Sequence, residues 1–541
     1  MFTGTKELLI LILKRERVKL PLWILGITLS LIAMVPTLKG LYGSQESLTS
    51  LYNLIGTNPS FLFLTGPMDK PTFGALFTIE TLLWWGLAIA FMNTLFIISH
   101  TRQDEEIGAL ELILSARVHR FAGLISALIV AFFANLLITL LIGGGLSMMN
   151  VDWQDGNIWL YATSLGLFGF TWAAIAAVIA QLFASSHTAN SVLASLIALT
   201  FVVRGFGDFL GTKNSNGLLE AAWPSYLSPF GWLEMAKPLV FASWQPLWLF
   251  AIPLAVFIPL SFYLLSNRNL GSGIIPARKG KTRASAFLQT PLGLTWKLQK
   301  NIFFAYLTAV TAMATMIGSL VPQIANVYKN SPQIEQLFEA MGGTNSMIPA
   351  FITSMLVFIV MMVIAYALQA LGKLRSEESH GRLEVLLSTK LSRIHWLGLH
   401  SLIALFGSAV LLLFSGLLLA LSVNASAKDL HINFGNYILS ALQYWPIVAL
   451  FVGLYLLLFG LFPKASGTVT WFYFGFVAFI AWLAPMLNLK QWILNLSPMA
   501  HIASAPAQEI KAEPIAVVTL LAAVLIGIGI YFWRNRDVRN S

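Results

Sequence analysis

Apolar residues in this chain gather into long runs with no two-residue alternation. Runs of about twenty residues, bounded by charge, proline or glycine, match the length a helix needs to cross a bilayer. They lie near residues 20–38, 75–99, 121–147, 157–184, 188–209 and 246–266, then near 301–323, 348–371, 396–423, 436–462, 467–487 and 514–533. Membrane β-strands would alternate in and out, so a barrel is excluded. The pattern predicts an all-α polytopic membrane protein with about twelve transmembrane helices.

Composition supports this class. Of 541 residues, 57% are hydrophobic and 10% charged, against roughly 25% charged in a soluble domain. The chain has no cysteine, which excludes disulfides, thiolate metal sites and cysteine nucleophiles. The apolar stretch from Leu8 to Leu13 is followed by Lys14, Arg15, Arg17 and Lys19 without a small-residue cleavage site. It reads as a surface-lying helix leading into the first span rather than a cleaved signal.

The net charge of +10 is distributed as a membrane topology, not as a nucleic-acid surface. With both termini cytoplasmic, 24 of the 33 lysines and arginines fall in cytoplasmic segments, whereas Asp and Glu divide ten inside and twelve outside. That asymmetry is the positive-inside rule. Glu80 sits about 30 Å along its helix from the cytoplasmic end, at roughly 1.5 Å per residue. Arg204 lies similarly high, with Asp208 one turn on and placed to pair with it. Ionisable groups are absent from the expected mid-membrane, which weighs against proton coupling.

Two loops expected on the cytoplasmic side are copies: TRQDEEIGALELILSARVHR from Thr101 to Arg120, and LRSEESHGRLEVLLSTKLSR from Leu374 to Arg393. At one offset Arg102 matches Arg375, Glu105 matches Glu378 and Gly108 matches Gly381. Leu110 likewise matches Leu383, Glu111 matches Glu384, Leu114 matches Leu387 and Arg120 matches Arg393. Further echoes keep their order: Gly56-Thr57-Asn58 with Gly343-Thr344-Asn345, Leu227-Ser228-Pro229 with Leu496-Ser497-Pro498, and Asn267-Arg268 with Asn535-Arg536. The expected organisation is a six-span half over 1–270, a basic cytoplasmic linker over 271–300 and a second six-span half over 301–541. An even number of spans per half makes the repeats parallel, facing each other around a pathway.

Within each loop, apolar residues at three- and four-residue spacing predict a short amphipathic helix with an exposed glutamate, Glu111 or Glu384. Asp104 to Glu106, or Glu377 and Glu378, are expected at the N-terminus of that helix, where its dipole favours negative charge. Gly108 and Gly381 would allow a bend before it. A single such loop reads as a turn lying on the lipid surface. Two copies with matched charges read as paired sockets for a two-fold symmetric partner.

The pattern R-x-x-E-x-x-G-x-L-E-x-x-L-S-x-x-x-x-R after the second span resembles the permease subunits of type 2 ABC exporters. Its duplication, with Ser228-Pro229-Phe230-Gly231-Trp232 and the exit Asn267 to Gly273, resembles the twelve-span polyketide-antibiotic exporter permeases. The resemblance covers essentially the whole chain and rests on order and duplication. It implies that the loop helices are coupling helices for a nucleotide-binding subunit. The coupling residues would be Arg102, Glu105, Gly108, Leu110, Glu111 and Leu114, with Arg375, Glu378, Gly381, Leu383, Glu384 and Leu387. It also implies a re-entrant external motif at Ser228 to Trp232, shortened in the second half to Ser497 and Pro498.

The chain has no G-x-x-x-x-G-K-[ST] loop, so no catalytic residue, cofactor or metal is expected in it. ATP and magnesium are expected on a separate ATPase subunit, in two copies per permease chain. The other expected partners are membrane lipid, including anionic lipid under the basic linker, and a small-molecule cargo. An amphiphilic or hydrophobic cargo suits the uncharged, aromatic interior, although Trp84-Trp85 and Phe132-Phe133 read first as packing. The rival readings are an ion-coupled secondary transporter with parallel repeats and a lipid-modifying membrane enzyme. The first requires coupling-ion ligands at mid-membrane and the second clustered His, Asp or Glu near one interface.

Overall fold

In lipid each backbone N–H and C=O must be satisfied within its own segment, and the chain meets that demand as helix. The computed structural model describes residues 3–57, 59–114, 118–154, 156–213, 219–276, 282–328, 347–379, 381–389, 391–426, 433–487 and 490–537. Contacts divide the chain into two units, Met1–Gly280 and Lys281–Ser541. Among the described residues, eleven helices are long and apolar enough to cross a membrane. The only strands there are a two-residue pair, Thr212–Lys213 with Leu219–Glu220.

The first unit holds six of these spans, Lys19–Leu41, Phe73–Glu106, Ala122–Ser147, Ile158–Leu182, Ser186–Phe209 and Gln245–Asn267. The second holds Pro291–Pro322, Phe351–Ser379, Arg393–Ser426, Phe434–Leu461 and Ala512–Asn535. Each falls on an expected run, and the remaining run, 467–487, lies in the helix Pro463–Leu487. Hydropathy underestimates several lengths. The run expected at 301–323 belongs to a helix from Pro291 to Tyr328, and that at 348–371 to one from Met347 to Ser379. Extending an existing helix costs little compared with starting one, and Lys, Arg, Glu and Gln are good helix formers outside the apolar stretch. The run at 436–462 is broken after Leu442, and a new helix starts at Trp445 with Pro446 in its first turn, where a missing N–H does no harm.

The N-terminal helix Thr5–Arg15 buries Leu8 and Ile12 and leaves Ile10, Leu11 and Leu13 exposed. It lies against the span Ala122–Ser147, whose Ser126 hydroxyl donates to the Thr5 carbonyl at 3.0 Å.

Apolar side chains gain little by leaving lipid for protein, so packing rests on close backbone approach and interhelical hydrogen bonds. Ile158–Leu182 is the central helix of the first unit, and the sequence reason is its row of small residues: Ala162, Gly166, Gly169, Ala173, Ala176, Ala177 and Ala180 are all buried. Beside it Asn93 and Asn135 clasp each other reciprocally, with amide contacts of 3.1 and 2.7 Å. A Cβ on Gly169 would stand 2.1 Å from Asn135 Oδ1 and 2.5 Å from Ile89 Cγ2. In the second unit, Trp445–Leu461 and Ala512–Asn535 meet through Gly453, Gly460 and Gly529. A Cβ on Gly529 would lie 2.7 Å from Leu456 backbone carbon.

Two substitutions test this packing. Asn135→Leu leaves the Asn93 amide without its partner and should cost about 1–2 kcal/mol, read as a lower midpoint in detergent unfolding. Gly169→Val should cost more, because its extra atoms fall on both the clasp and Ile89. Equal midpoints for Gly169→Val and wild type would mean that the helices are not in contact there.

Candidate functional site: the duplicated loop corner

The span beginning at Phe73 leaves its apolar run at Ile98. Its next five residues, Ser99–Gln103, form a wider π-type turn, and His100 and Arg102 face inward and are buried. Arg102 lies against the C-terminal end of Ile158–Leu182, where backbone carbonyls have no intrahelical partner. Its Nε and Nη2 donate to the Ala180 carbonyl at 2.9 and 2.7 Å.

Glu105, one turn on, is held by the exit of the sixth span. The Arg268 guanidinium grips both carboxylate oxygens at 2.6 Å each, and the Gly271 amide donates to Oε1 at 2.6 Å. Arg268 also donates from Nε to Gln181 Oε1 at 2.9 Å and from Nη1 to the Ser272 carbonyl at 2.9 Å. Arg102 stands 3.3 Å from Glu105 Oε2, and Arg120 donates to the Arg268 carbonyl. Arg102, Glu105 and Arg268 are each at most 6% exposed. The arrangement is a buried, fully engaged latch that ties the ends of three spans together.

The acidic run does not cap its own loop helix as expected. Its three carboxylates go three ways: Asp104 to Arg15 at 2.6 Å, Glu105 to Arg268, and Glu106 to the Ser186 amide at 2.9 Å. Glu106 thus caps the N-terminus of a different helix, Ser186–Phe209. The reason is Gly108, whose φ of +77° turns the chain before Ala109–Leu114 begins. L side chains rarely adopt that conformation. Glu111 on this short helix is exposed and Leu110 half-buried, its Cδ1 lying 3.8 Å from where a Cβ on Gly123 would sit. The Leu114 side chain and Ser115 lie outside the described residues, as does the expected Gly343-Thr344-Asn345 echo.

The second unit repeats the contacts with different completeness. Arg536 donates to Glu378 Oε1 at 2.6 Å, Arg375 stands 3.7 Å from Glu378 Oε2, and Arg393 donates to the Arg536 carbonyl at 2.6 Å. Gly381 is again left-handed, with φ +68°, and precedes the helix Arg382–Leu387. Leu383 is buried, Leu387 half-buried and Glu384 exposed. Glu105 and Glu378 therefore each meet an arginine of their own loop and one at the exit of their unit's last span, and Gly108 and Gly381 are both left-handed. Arg268 and Arg536 complete the site, and loop patterning alone did not assign them to it. The echo of Asn267-Arg268 in Asn535-Arg536 was the signal.

The motif Ser228 to Trp232 lies elsewhere, at the other end of the first unit's spans. Ser228 Oγ accepts from the Phe230 amide at 3.2 Å and starts the helix Pro229–Met235. Phe230 is fully buried against Phe168 and Phe201. Phe168 is the eleventh residue of its span, so this helix reaches about 15 Å inward at 1.5 Å per residue. Gly231 is required there, since a Cβ would stand 2.1 Å from the Ser225 carbonyl oxygen. The Trp232 indole donates to the Tyr226 carbonyl at 2.8 Å. The counterpart in the second unit is one short turn, Pro498–His501, with Ser497 and Pro498 buried.

Beside this helix Arg204 pairs with Asp208 at 3.0 Å, as its spacing suggested, and also with Glu234 at 3.1 Å. Its Nη2 donates to the Phe63 and Leu64 carbonyls. Glu234 on the motif helix was not anticipated. Burial pushes its carboxyl well above the ordinary range, Arg204 pulls it down less, and Asp208 pushes it up again. Nearby Asp69 is also raised by burial, although Lys237 at 2.8 Å opposes the shift. Of the aromatics read first as packing, Trp85 donates to the Ile27 carbonyl at 2.9 Å, while Trp84, Phe132 and Phe133 are exposed on their helices.

The chain is 31% identical to the multidrug efflux system permease protein Rv1217c of Mycobacterium tuberculosis over 539 residues, 99% of this chain and 96% of that protein. The family model of the Rv1217c multidrug efflux permease C-terminal domain matches residues 288–534. The chain belongs to this permease family. The resemblance to ABC exporter permeases is thereby established, and this permease is a multi-pass protein of the cell membrane.

Two outcomes follow for the permease. Glu105→Ala strands two buried guanidiniums and should cost about 3–5 kcal/mol. Glu378→Ala should cost less, because its partners Arg375 and Arg536 are 24% and 16% exposed. Detergent unfolding of both variants checks the order. For Glu234, a raised folded-state pKa means that the folded protein holds a proton the unfolded chain has lost. Stability therefore falls as pH rises from about the ordinary 4.5 through the folded value. Glu234→Gln stays neutral and should flatten that part of the unfolding-midpoint profile; an unchanged slope would place the titration elsewhere.

Proposed function

We propose that the permease exports amphiphilic or hydrophobic drug-like compounds, driven by a separate ATPase subunit in two copies. The observation that carries this reading is the pair of exposed glutamates, Glu111 and Glu384. Each sits on a six-residue helix hung from a left-handed glycine beside an arginine–glutamate latch whose carboxylate is buried. A loose surface turn needs no such anchoring. A lever does, because force applied to the short helix must move the spans and not only the loop.

In this reading the loop ends of the spans face the cytoplasm, as the distribution of lysine and arginine implies. ATP and magnesium bind on the partner, and closing of the ATPase dimer pushes both loop helices. Leu110 and Leu383 seat each helix on its unit, while Glu111 and Glu384 meet the partner. Arg102, Glu105, Arg375 and Glu378 transmit the push without touching the ATPase. Alternating access then follows from the movement of the six-span halves. The name of the mycobacterial relative supports a drug-like cargo.

Co-purification with the candidate ATPase tests the proposal. Glu111→Ala with Glu384→Ala should weaken association or uncouple hydrolysis from transport, while the unfolding midpoint stays within about 0.5 kcal/mol of wild type, as expected of exposed sites. Drug efflux that persists on an ion gradient, with no ATPase bound, would favour the secondary-transporter reading instead.

A further inference from the structure

The two latches differ at one corner, and a cavity lies beside the second. In the first unit the chain beyond Arg268 folds back over the latch. Ile274 and Ile275 donate to the Gln181 and Leu182 carbonyls at 3.2 and 2.9 Å, and Gly273 fits so closely that a Cβ would stand 2.6 Å from the Ala184 nitrogen. Arg268 Nε is satisfied by Gln181.

In the second unit the residue at the place of Gln181, just before the Leu-Phe that ends the span, is Gly460. It has no side chain to accept a hydrogen bond, and a Cβ there would lie 2.9 Å from the Gly529 carbonyl oxygen. Arg536 Nε is accordingly buried without a partner. Its guanidinium is fixed over the rings of Trp533 and Phe459, at 4.9 and 5.2 Å. A cavity of about 590 Å³ opens here, lined by Arg375, Glu378, Leu461, Phe462, Lys464 and Arg536.

The charge has changed as well. Where the first unit has Glu106 and Ser185, the second has Ser379 and Lys464. Arg375, Lys464 and Arg536 outnumber Glu378 and Asp537 by one around the cavity, where Arg536 and Glu378 pair with each other. One edge is apolar, with Phe462 63% and Leu461 37% exposed at the end of a membrane span.

We propose that this corner of the second unit binds the phosphate of an anionic membrane lipid, held by the cations that line the cavity. Basic pockets between span ends hold lipid headgroups by this combination of cations and apolar rim. Leu461 and Phe462 favour a lipid over free phosphate, because they offer a surface for acyl chains. The first unit has Ser185 in the place of Lys464, so lipid composition would act on a single half.

Native mass spectrometry of the full-length permease, delipidated and then titrated with phosphatidylglycerol or phosphatidylcholine, tests this. Wild type should retain phosphatidylglycerol in preference. Lys464→Glu, at an exposed position, should weaken that retention roughly tenfold or more with an unchanged unfolding midpoint. Equal retention of the two lipids, or phosphatidylglycerol binding unaffected by Lys464→Glu, would overturn the proposal. Inorganic phosphate at millimolar concentration should not displace the lipid; displacement would assign the site to soluble phosphate and overturn the lipid source.

Discussion

A carboxylate withdrawn from water is tolerable only when its charge and lone pairs are met, and Glu105 is met on every side. Arg268 takes both oxygens, Gly271 adds a backbone donor, and Arg102 spans from the same carboxylate to the open carbonyl end of a neighbouring helix. Removing Glu105 leaves two buried guanidiniums without their counter-charge. The corner joins the ends of the second, fourth and sixth spans of the first unit. The short helix Ala109–Leu114 inherits its position from this corner through a single left-handed glycine.

The same interaction explains why the most conspicuous motif residues are not the ones on display. Arg102 and Glu105 anchor, and Glu111 is presented. The second unit keeps that division, with Arg375 and Glu378 below and Glu384 outside, but it is built more loosely. Asp104 binds Arg15 of the N-terminal helix, whereas its counterpart Glu377 turns to the local Arg382 at 3.2 Å. The unit with Gly460 in the place of Gln181 also has no sequence counterpart of the Arg204–Asp208–Glu234 cluster. At the offset that aligns the two Leu-Ser-Pro motifs, Tyr473 stands in the place of Arg204 and donates to the Leu496 carbonyl at 3.0 Å. Among the described residues, the first half has buried ion pairs at both ends, and the second has Tyr473 in the place of Arg204.

Hydropathy located every long helix because the cost of exposing backbone to lipid acts on each segment separately. Twenty apolar residues have one solution there whatever their neighbours do. Local rules also anticipated the loop helices and the bends at Gly108 and Gly381. Helix ends were less legible: 348–371 grew to Met347–Ser379 because helix continues past the apolar run at little cost. The 436–462 run was interrupted near Pro446, which pattern alone passes over.

What the amino-acid order determined by itself, then, is the class and the spans, each of which depends on residues near one another in the chain. Which partner each charge takes was decided only by the tertiary structure. Glu105 and Arg268 are separated by the whole of four spans, and nothing in either segment distinguishes that pairing from the Asp104 or Glu106 alternatives. The choice follows from where the helix ends converge and which carbonyls they leave open. The orphaned Arg536 Nε is the clearest case. It depends on a glutamine in one half being a glycine in the other, a difference that acquires meaning only once folding sets position 460 beside the exit of the last span.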